Sequence, residues 1–200
     1  RRGNSNASRR KSASAVPATP TPRQTPVPTR TFDQERTRPT RSKLGRQGFT
    51  LRADGRSFLI AVDTNILVYA HREELPKHPQ AREQIVKLAE RNQPWAIPVF
   101  CIGEFLRIIT HPRLFDPPYT CTEACNAMGR ILDAPTLTIL YPGPRYPELL
   151  MEAMREADAT GNLVFDAQIV ALCRESGVGD LLTEDRDFDR FADLRTLRLG

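Results

Sequence analysis

The stretch FLIAVDTN at residues 58–65 decides the fold of this 200-residue chain. It opens with a continuous apolar run, which is typical of a strand buried on both faces of a parallel sheet. The run stops at Asp63, and Ile66–Tyr69 then predict the beginning of a helix. A buried strand that passes into a helix within a few residues indicates the first unit of an α/β domain.

The rest of the chain alternates between strand and helix patterns in the same way. Helical spacing of apolar residues predicts helices over residues 80–91, 101–109, 147–157 and 163–173, and a capping box at Thr120 and Glu123 opens another. Short apolar runs predict strands over residues 95–100, 137–140, 179–182 and 197–199. This alternation predicts an α/β fold with a central, mainly parallel sheet, in which ligands gather at the carboxyl ends of the strands.

Charge divides the chain into two unlike parts. Residues 1–57 hold 14 Lys and Arg against 3 Asp and Glu, a net charge of +11, whereas residues 58–200 hold 15 against 21, a net charge of −6. The first part is rich in Arg, Ser, Thr and Pro and poor in apolar residues. Because it cannot bury enough apolar surface to offset the entropy of ordering, we predict a disordered basic tail followed by one folded domain.

Three interpretations of the tail compete. A basic arm could contact RNA or DNA without specificity. A transit peptide would have a similar composition, but the prolines between Pro17 and Pro28 would prevent its amphipathic helix. We favour the third interpretation, an extension that has no function.

Several classes of protein are excluded by composition. The longest apolar runs are about five residues, whereas a membrane-spanning helix needs roughly 20. The first residues of the sequence contain no apolar segment of the kind that a secretory signal has, so a secretory signal is not predicted. The four cysteines, Cys101, Cys121, Cys125 and Cys173, form no CxxC pair and are too few for a disulfide scaffold. We interpret Cys121 and Cys125 as small packing residues of a helix and expect a reduced, cytoplasmic setting.

Two acidic residues stand where a buried core would not favour them. Asp63 follows the first strand directly, where it could also be a helix N-cap. Asp166 lies in a predicted helix whose same-face neighbours are apolar: Leu163, Ile169, Val170 and Cys173. Its carboxylate is therefore aimed into the interior or a cleft, and the alternative is a buried salt bridge to an arginine.

Two further acids lie in or after predicted elements of the same domain. Glu104 falls in the helix over residues 101–109, where it could instead be an exposed partner of Arg107 at i+3. Asp185 follows the strand over residues 179–182 and could also be a loop residue or a cap. Clustered carboxylates repel one another unless a divalent cation lies among them, and oxygen ligands suit Mg²⁺ or Mn²⁺.

Softer metals are disfavoured because the histidines, His71, His78 and His111, show no ligand spacing among themselves or with the cysteines. A carboxylate-held Mg²⁺ activates water and neutralises phosphate charge. The pattern of acids therefore indicates phosphodiester hydrolysis.

Four segments resemble the PIN-domain ribonucleases and, more narrowly, the VapC-type toxins of bacterial toxin–antitoxin pairs. They are IAVDTNILVYA at residues 60–70, WAIPVFCIGEFLRIITHPRLFDPP at 95–118, NLVFDAQIVALC at 162–173 and LLTEDRDFDRF at 181–191. The likeness extends from residue 58 to about residue 198 and does not include the tail. It implies a three-layer α/β/α domain.

The resemblance also implies roles for individual residues. Asp63, Glu104, Asp166 and Asp185 would be the catalytic acids and would hold one or two Mg²⁺ ions, with Mn²⁺ as a possible substitute. Supporting residues would be Thr64, Asn65 and Thr183. Asp187 would either support the metal site or cap the turn before Phe188.

As a VapC-type toxin, the protein would be a Mg²⁺-dependent endoribonuclease in which activated water attacks the phosphorus. A cognate antitoxin would cover the acidic cleft, often with an arginine, and a homodimer is expected. Because the domain is acidic, local cations must guide the RNA backbone. The candidates are Arg107, Arg113, Arg186 and Arg190.

Two other functions are compatible with parts of this pattern. A phosphatase or phosphotransferase with an aspartyl nucleophile usually has a second Asp two residues later, where this chain has Asn65, and a Gly-rich phosphate-binding loop is absent from the sequence. The second is a catalytically silent RNA- or protein-binding module with the same fold. Retention of all four acids favours the nuclease over this module.

Overall fold

The computed structural model describes residues 57–200. The predicted disordered tail, apart from Ser57, and its three interpretations lie outside the described residues. The elements follow in this order: β1 Ser57–Val62, α1 Thr64–His71, α2 His78–Glu90, β2 Trp95–Pro98, α3 Val99–Ile109, α4 Cys121–Leu132, β3 Leu137–Leu140, α5 Tyr146–Ala157, α6 Leu163–Glu175, β4 Val178–Leu182, a 3₁₀ helix Arg186–Arg190 and β5 Arg195–Leu197.

The strands form one parallel sheet in the order β3-β2-β1-β4-β5. In the described part of the chain, six helices flank this sheet, so the predicted three-layer α/β/α arrangement is confirmed. β1 is the central strand, and its Leu59, Ala61 and Val62 are buried. The apolar run of β1 therefore has the physical cause that was expected, because a central parallel strand is covered on both faces.

Two predicted strands have different bounds in the structure. The strand expected over residues 95–100 ends at Pro98, because α3 begins at Val99. The last strand is Arg195–Leu197 rather than residues 197–199, because Arg195 binds a buried acid on β4. The Arg195 guanidinium donates to both carboxylate oxygens of Asp180 at 2.8 Å, and Asp180 is only 1% exposed. This bidentate pair accompanies the parallel pairing of β5 with β4.

The interpretation of Cys121 and Cys125 as packing residues is wrong. Both thiols are exposed on α4, whereas Cys101 and Cys173 are buried. The reason is the orientation of α4, which buries Ala124, Ala127, Met128 and Ile131 on its other face.

The beginning of α4 is stabilised by the capping box that the sequence predicts. The Thr120 hydroxyl accepts a hydrogen bond from the backbone N–H of Glu123 at 3.2 Å, and the Glu123 carboxylate accepts one from the backbone N–H of Thr120 at 2.8 Å. Two amide groups that the helix cannot satisfy by itself are thus paired.

No helix among residues 57–200 has both the length and the apolar character needed to span a bilayer.

The substitution Thr120→Ala is expected to lower the free energy of unfolding by about 1 kcal/mol, because the N-cap acceptor is lost. Urea denaturation of the purified protein measures this loss as a lower midpoint with an unchanged slope. The matched control is Thr122→Ala, at an exposed position of the same helix turn. An equal loss in both variants would contradict the capping assignment.

Candidate active site

The site lies at the carboxyl edge of the sheet. Asp63 follows β1 and Thr183 follows β4, and these neighbouring strands are parallel with Val62 opposite Leu182. The backbone N–H of Asp63 continues the ladder by donating to the carbonyl of Leu182 at 3.0 Å. Parallel pairing therefore brings two residues that are 120 positions apart in the sequence into direct contact.

Asp63 is buried and held by three hydrogen bonds. Its Oδ1 accepts from the backbone N–H of Thr64 at 2.6 Å, which makes it the N-cap of α1. Its Oδ2 accepts from the Asn65 side-chain amide at 2.5 Å and from the Thr183 hydroxyl at 2.7 Å. The N-cap interpretation is thus correct, and the same bonds fix the orientation of the carboxylate at the sheet edge.

Asn65 and Thr183 form a bridge between the first and the last part of the site. The Asn65 amide nitrogen also donates to the Thr183 hydroxyl at 2.9 Å, and its carbonyl accepts from the backbone N–H of Glu184 at 3.2 Å. The Thr183 hydroxyl accepts in addition from the backbone N–H of Asp185 at 3.0 Å. The loop that carries Asp185 is therefore tied to the residues after β1.

Glu104 contacts Arg107, the partner that the sequence suggests, and also Thr64, which the sequence did not indicate as its partner. Its Oε2 accepts from the Thr64 hydroxyl at 2.8 Å, and its Oε1 lies 3.4 Å from the guanidinium of Arg107. The bond from Thr64 joins α1 to α3 and places the glutamate beside Asp63. Glu104 lines the cleft even though it also forms a weak i+3 pair with Arg107.

Three carboxylates approach one another more closely than the rest. One oxygen from each of Asp166, Asp185 and Asp187 lies within 4.8 Å of the other two. Asp63 and Glu104 are not members of this group, although their charges act on Asp166. The aspartate expected only as a supporting residue, Asp187, thus stands closer to Asp166 and Asp185 than the sequence indicated.

Asp185, and not Asp187, provides the cap of the following turn. The Asp185 side chain accepts from the backbone N–H of Asp187 at 2.9 Å at the beginning of the 3₁₀ helix. The Asp187 carboxylate is left to face the acidic group and lies 3.3 Å from Arg190.

Asp166 faces a cleft rather than an internal salt bridge. Within residues 57–200, neither a hydrogen bond nor an ion pair joins it to a basic side chain. It lines a cavity of about 780 Å³ between α3 and α6, together with Glu104, Asp185 and Asp187. The alternative of a buried arginine partner is not what the described residues show.

Two acids of the site, Asp63 and Asp166, have raised pKa values. Burial raises the pKa of Asp63 to about 6, against the bonds from Thr183 and Thr64 that lower it. Burial and, after it, repulsion from Asp185, Asp63, Asp187 and Glu104 together raise the pKa of Asp166 to about 7. An all-oxygen group that resists ionisation fits a hard divalent cation, whose charge would relieve the repulsion.

The four arginine candidates differ in position. Arg107 lines the cleft, and Arg190 pairs with Asp187 at its mouth. Arg186 is exposed at the beginning of the 3₁₀ helix, next to the acidic group. Arg113 lies in the loop after α3 and is not among the described residues that line the cavity.

Sequence reasoning missed the C-terminal residues that hold the acidic loop. The Arg198 guanidinium donates to the carbonyls of Thr183 and Asp185 at 3.0 and 2.8 Å and to the carboxylate of Asp189 at 2.7 Å. Next to it, the backbone N–H of Leu199 donates to Glu184 at 2.6 Å. No local pattern in the sequence signals these bonds, because they join the chain end to a loop 13 to 15 residues earlier.

The metal-free protein is expected to gain stability from Asp166→Asn above pH 7. The pKa of this carboxyl is about 7 in the fold against 3.8 for the free side chain. The folded state therefore binds its proton more tightly, and stability is lost as pH rises from about 4 to 7. Melting temperatures in EDTA should show the variant above the parent near pH 8 and the difference closing near pH 4.

The control for this experiment is Asp133→Asn, which alters an exposed carboxylate at the end of α4. It removes one negative charge without touching the cleft. Equal pH profiles for the Asp166 and Asp133 variants would show that the crowding has no energetic effect.

Comparison with known proteins identifies the family. The PIN domain model matches residues 60–194. Ribonuclease VapC43 of Mycobacterium tuberculosis is 34% identical over 137 residues, which are 68% of this chain and 92% of the relative. Ribonuclease VapC31 of the same species is 34% identical over 143 residues, 70% of this chain and 98% of the relative.

Solved structures share the fold. One is VapC20 of Mycobacterium tuberculosis, described as a sarcin–ricin loop cleaving toxin, with a TM-score of 0.53 and 16% identity over 68% of this chain and 96% of that one. Another is VapBC2 from Rickettsia felis bound to a promoter DNA fragment, with a TM-score of 0.51 and 20% identity over 71% of this chain and 99% of that one. The chain therefore belongs to the PIN-domain family and, within it, to the VapC group.

Proposed function

We propose that this protein is a Mg²⁺-dependent endoribonuclease that acts as the toxin of a type II toxin–antitoxin pair. The observation that carries the proposal is the close group of Asp166, Asp185 and Asp187 at one edge of the sheet, with Asp63 and Glu104 near enough for their charges to act on Asp166. Relatives that are 34% identical over the aligned residues are named ribonucleases, and they match along nearly their whole length.

The residues present fit a Mg²⁺ ion. Oxygen ligands suit a hard divalent cation such as Mg²⁺, and one oxygen from each of Asp166, Asp185 and Asp187 lies within 4.8 Å of the other two. These three would hold the cation, with Asp63 and Glu104 acting directly or through water. When bound, Mg²⁺ lowers the pKa of water and neutralises charge on the phosphate.

The chain's own residues prepare the site for hydrolysis. Three hydrogen bonds orient Asp63, and the Thr64 hydroxyl orients Glu104, so these carboxylates need little rearrangement when substrate arrives. Arg107 at the wall of the cleft offers a cation to the RNA backbone. In the reaction, water attacks the phosphorus in line and the bond to the leaving 3′ oxygen breaks.

The acidic cleft also suits an inhibitor that presents a guanidinium. Arginine forms bidentate bonds with carboxylates, and Asp166 lacks a cationic partner within the described residues. The Rickettsia felis neighbour is a VapBC structure by its description. We propose that a cognate antitoxin inserts an arginine into this cleft, that the toxin forms a homodimer, and that both act in the cytoplasm.

Asp166→Asn is expected to reduce the rate of RNA cleavage in Mg²⁺ by more than about 100-fold. Loss of a residue that only hydrogen-bonds to a metal ligand costs about 10–100-fold, and Asp166 would itself be a ligand. Cleavage of labelled RNA by the purified protein measures this, with EDTA as the metal-free reference. The Asp133→Asn variant, which removes an exposed carboxylate elsewhere, should cut like the parent. If the Asp166 variant cuts at the parental rate, the assignment of the site fails; if both bind RNA and neither cuts it, the silent module is favoured.

Arg198→Ala is expected to reduce cleavage by about 10–100-fold, because the loop that carries Asp185 loses three hydrogen bonds that position it. The same variant should bind Mn²⁺ more weakly in a calorimetric titration, which a loss of general stability would not cause in the folded protein. Arg198→Lys should restore only part of the activity, since lysine lacks the planar fork. Arg155→Ala, at an exposed position of α5, is the control; equal Mn²⁺ affinity in all variants would refute the positioning role.

A further inference from the structure

The cleft that contains the acids has a second half that is aromatic and polar. On α3, the residues Phe100, Gly103, Glu104 and Arg107 share one face, because their spacing is that of successive helical turns. On α6, Phe165 precedes Asp166. Each wall of the cleft therefore carries an aromatic ring beside an acid.

Phe165 presents its ring to the cleft. The side chain is 57% exposed, although it stands directly beside an acid that the proposed hydrolysis uses. On the opposite wall, the ring of Phe100 is held by Tyr146, with ring centroids 5.9 Å apart. The cleft thus has one fixed aromatic wall and one that is open to a partner.

Gly103 leaves room between these walls. Glycine in a helix interior costs about 1 kcal/mol relative to alanine. A Cβ atom at this position would meet no atom within 4 Å, so the packing of the chain does not require glycine here. The missing side chain instead widens the cleft beside Glu104.

Polar groups of the right kind border the same space. The side-chain amides of Asn162 and Gln168 line the cavity, and each offers both donors and acceptors. Unpaired RNA bases are recognised by stacking on aromatic rings and by hydrogen bonds to their exposed edges. The aromatic half of the cleft combines both capacities.

We infer that this half of the cleft, formed by Phe165, Phe100, Gly103, Asn162 and Gln168, is a subsite for an unpaired RNA base next to the phosphate that is cut. The base stacks on Phe165 above the space left by Gly103. The inference rests on the proposed function, because the acids of the same cleft would act on the adjoining phosphate. An apolar face of a second protein would have to desolvate those acids, which is costly.

The test measures the affinity of fluorescently labelled, short single-stranded RNAs of random sequence by anisotropy, with Ca²⁺ in place of Mg²⁺ to prevent cleavage. Phe165→Ala is expected to weaken binding about tenfold, the size of one lost base–aromatic stack, and Phe165→Trp to retain it. The thermal shift caused by Mn²⁺ should be unchanged in both variants.

Gly103→Leu provides a second variant, and we expect it to leave the fold intact because a Cβ atom at this position meets no other atom within 4 Å. Leucine favours helix more than glycine does, so the melting temperature should not fall, whereas RNA affinity should fall about tenfold because the space for one stacked base is filled. The matched control is Gly129→Leu, since Gly129 is also a helical glycine with open space around its Cβ position, on α4. It should bind RNA like the parent.

The outcomes separate this inference from the proposed function. If the parent cuts RNA in Mg²⁺ and the Phe165 and Gly103 variants bind and cut equally well, the base subsite is refuted and the nuclease stands. If binding depends on Phe165 but Mg²⁺ supports no cleavage, the subsite stands and the nuclease fails. The subsite is refuted if the protein binds none of the RNAs. It is also refuted if Phe165→Ala converts a dimer into a monomer in light scattering without a change in RNA affinity.

Discussion

Parallel pairing of β1 with β4 is the constraint on which the site depends. It brings Asp63 beside Thr183, where one hydroxyl joins the two strand ends and also accepts from Asn65 and from the acidic loop. The helices then add their acids to this fixed edge, Glu104 through a bond from Thr64 and Asp166 across the cleft. With a different register of β1 and β4, Asp63 and the loop that carries Asp185 would not lie at the same edge of the sheet.

Crowding of the acids opposes the stability of the domain. Burial and mutual repulsion raise the pKa values of Asp63 and Asp166 to about 6 and about 7, so the charged forms of these carboxyls are destabilised in the fold. Such a conflict between stability and local chemistry is common at functional sites. A cation, or the guanidinium of an inhibitor, would relieve the same repulsion, which explains why one cleft could serve both catalysis and its control.

In the proposed enzyme, the two halves of the cleft would bind different parts of the RNA. The acidic half would act on a phosphate, which every nucleotide shares. The aromatic half, around Phe165 and Gly103, would contact the base, which is the part of a nucleotide that differs from one to the next. Selectivity for RNA sequence or shape is therefore more open to change through residues such as Phe165 than through the acids.

The sequence by itself determined the layers of the fold, because apolar runs make buried strands, and it placed Asp63 and Asp185 after strands whose carboxyl ends meet at one edge of the sheet. It could not determine what depends on contacts between distant residues. The place of Asp187 beside Asp166, the support of the loop by Arg198 and the pairing of Arg195 with Asp180 are of this kind. The exposure of Cys121 and Cys125 likewise followed from which face of α4 packs inward, and only the tertiary structure decides that.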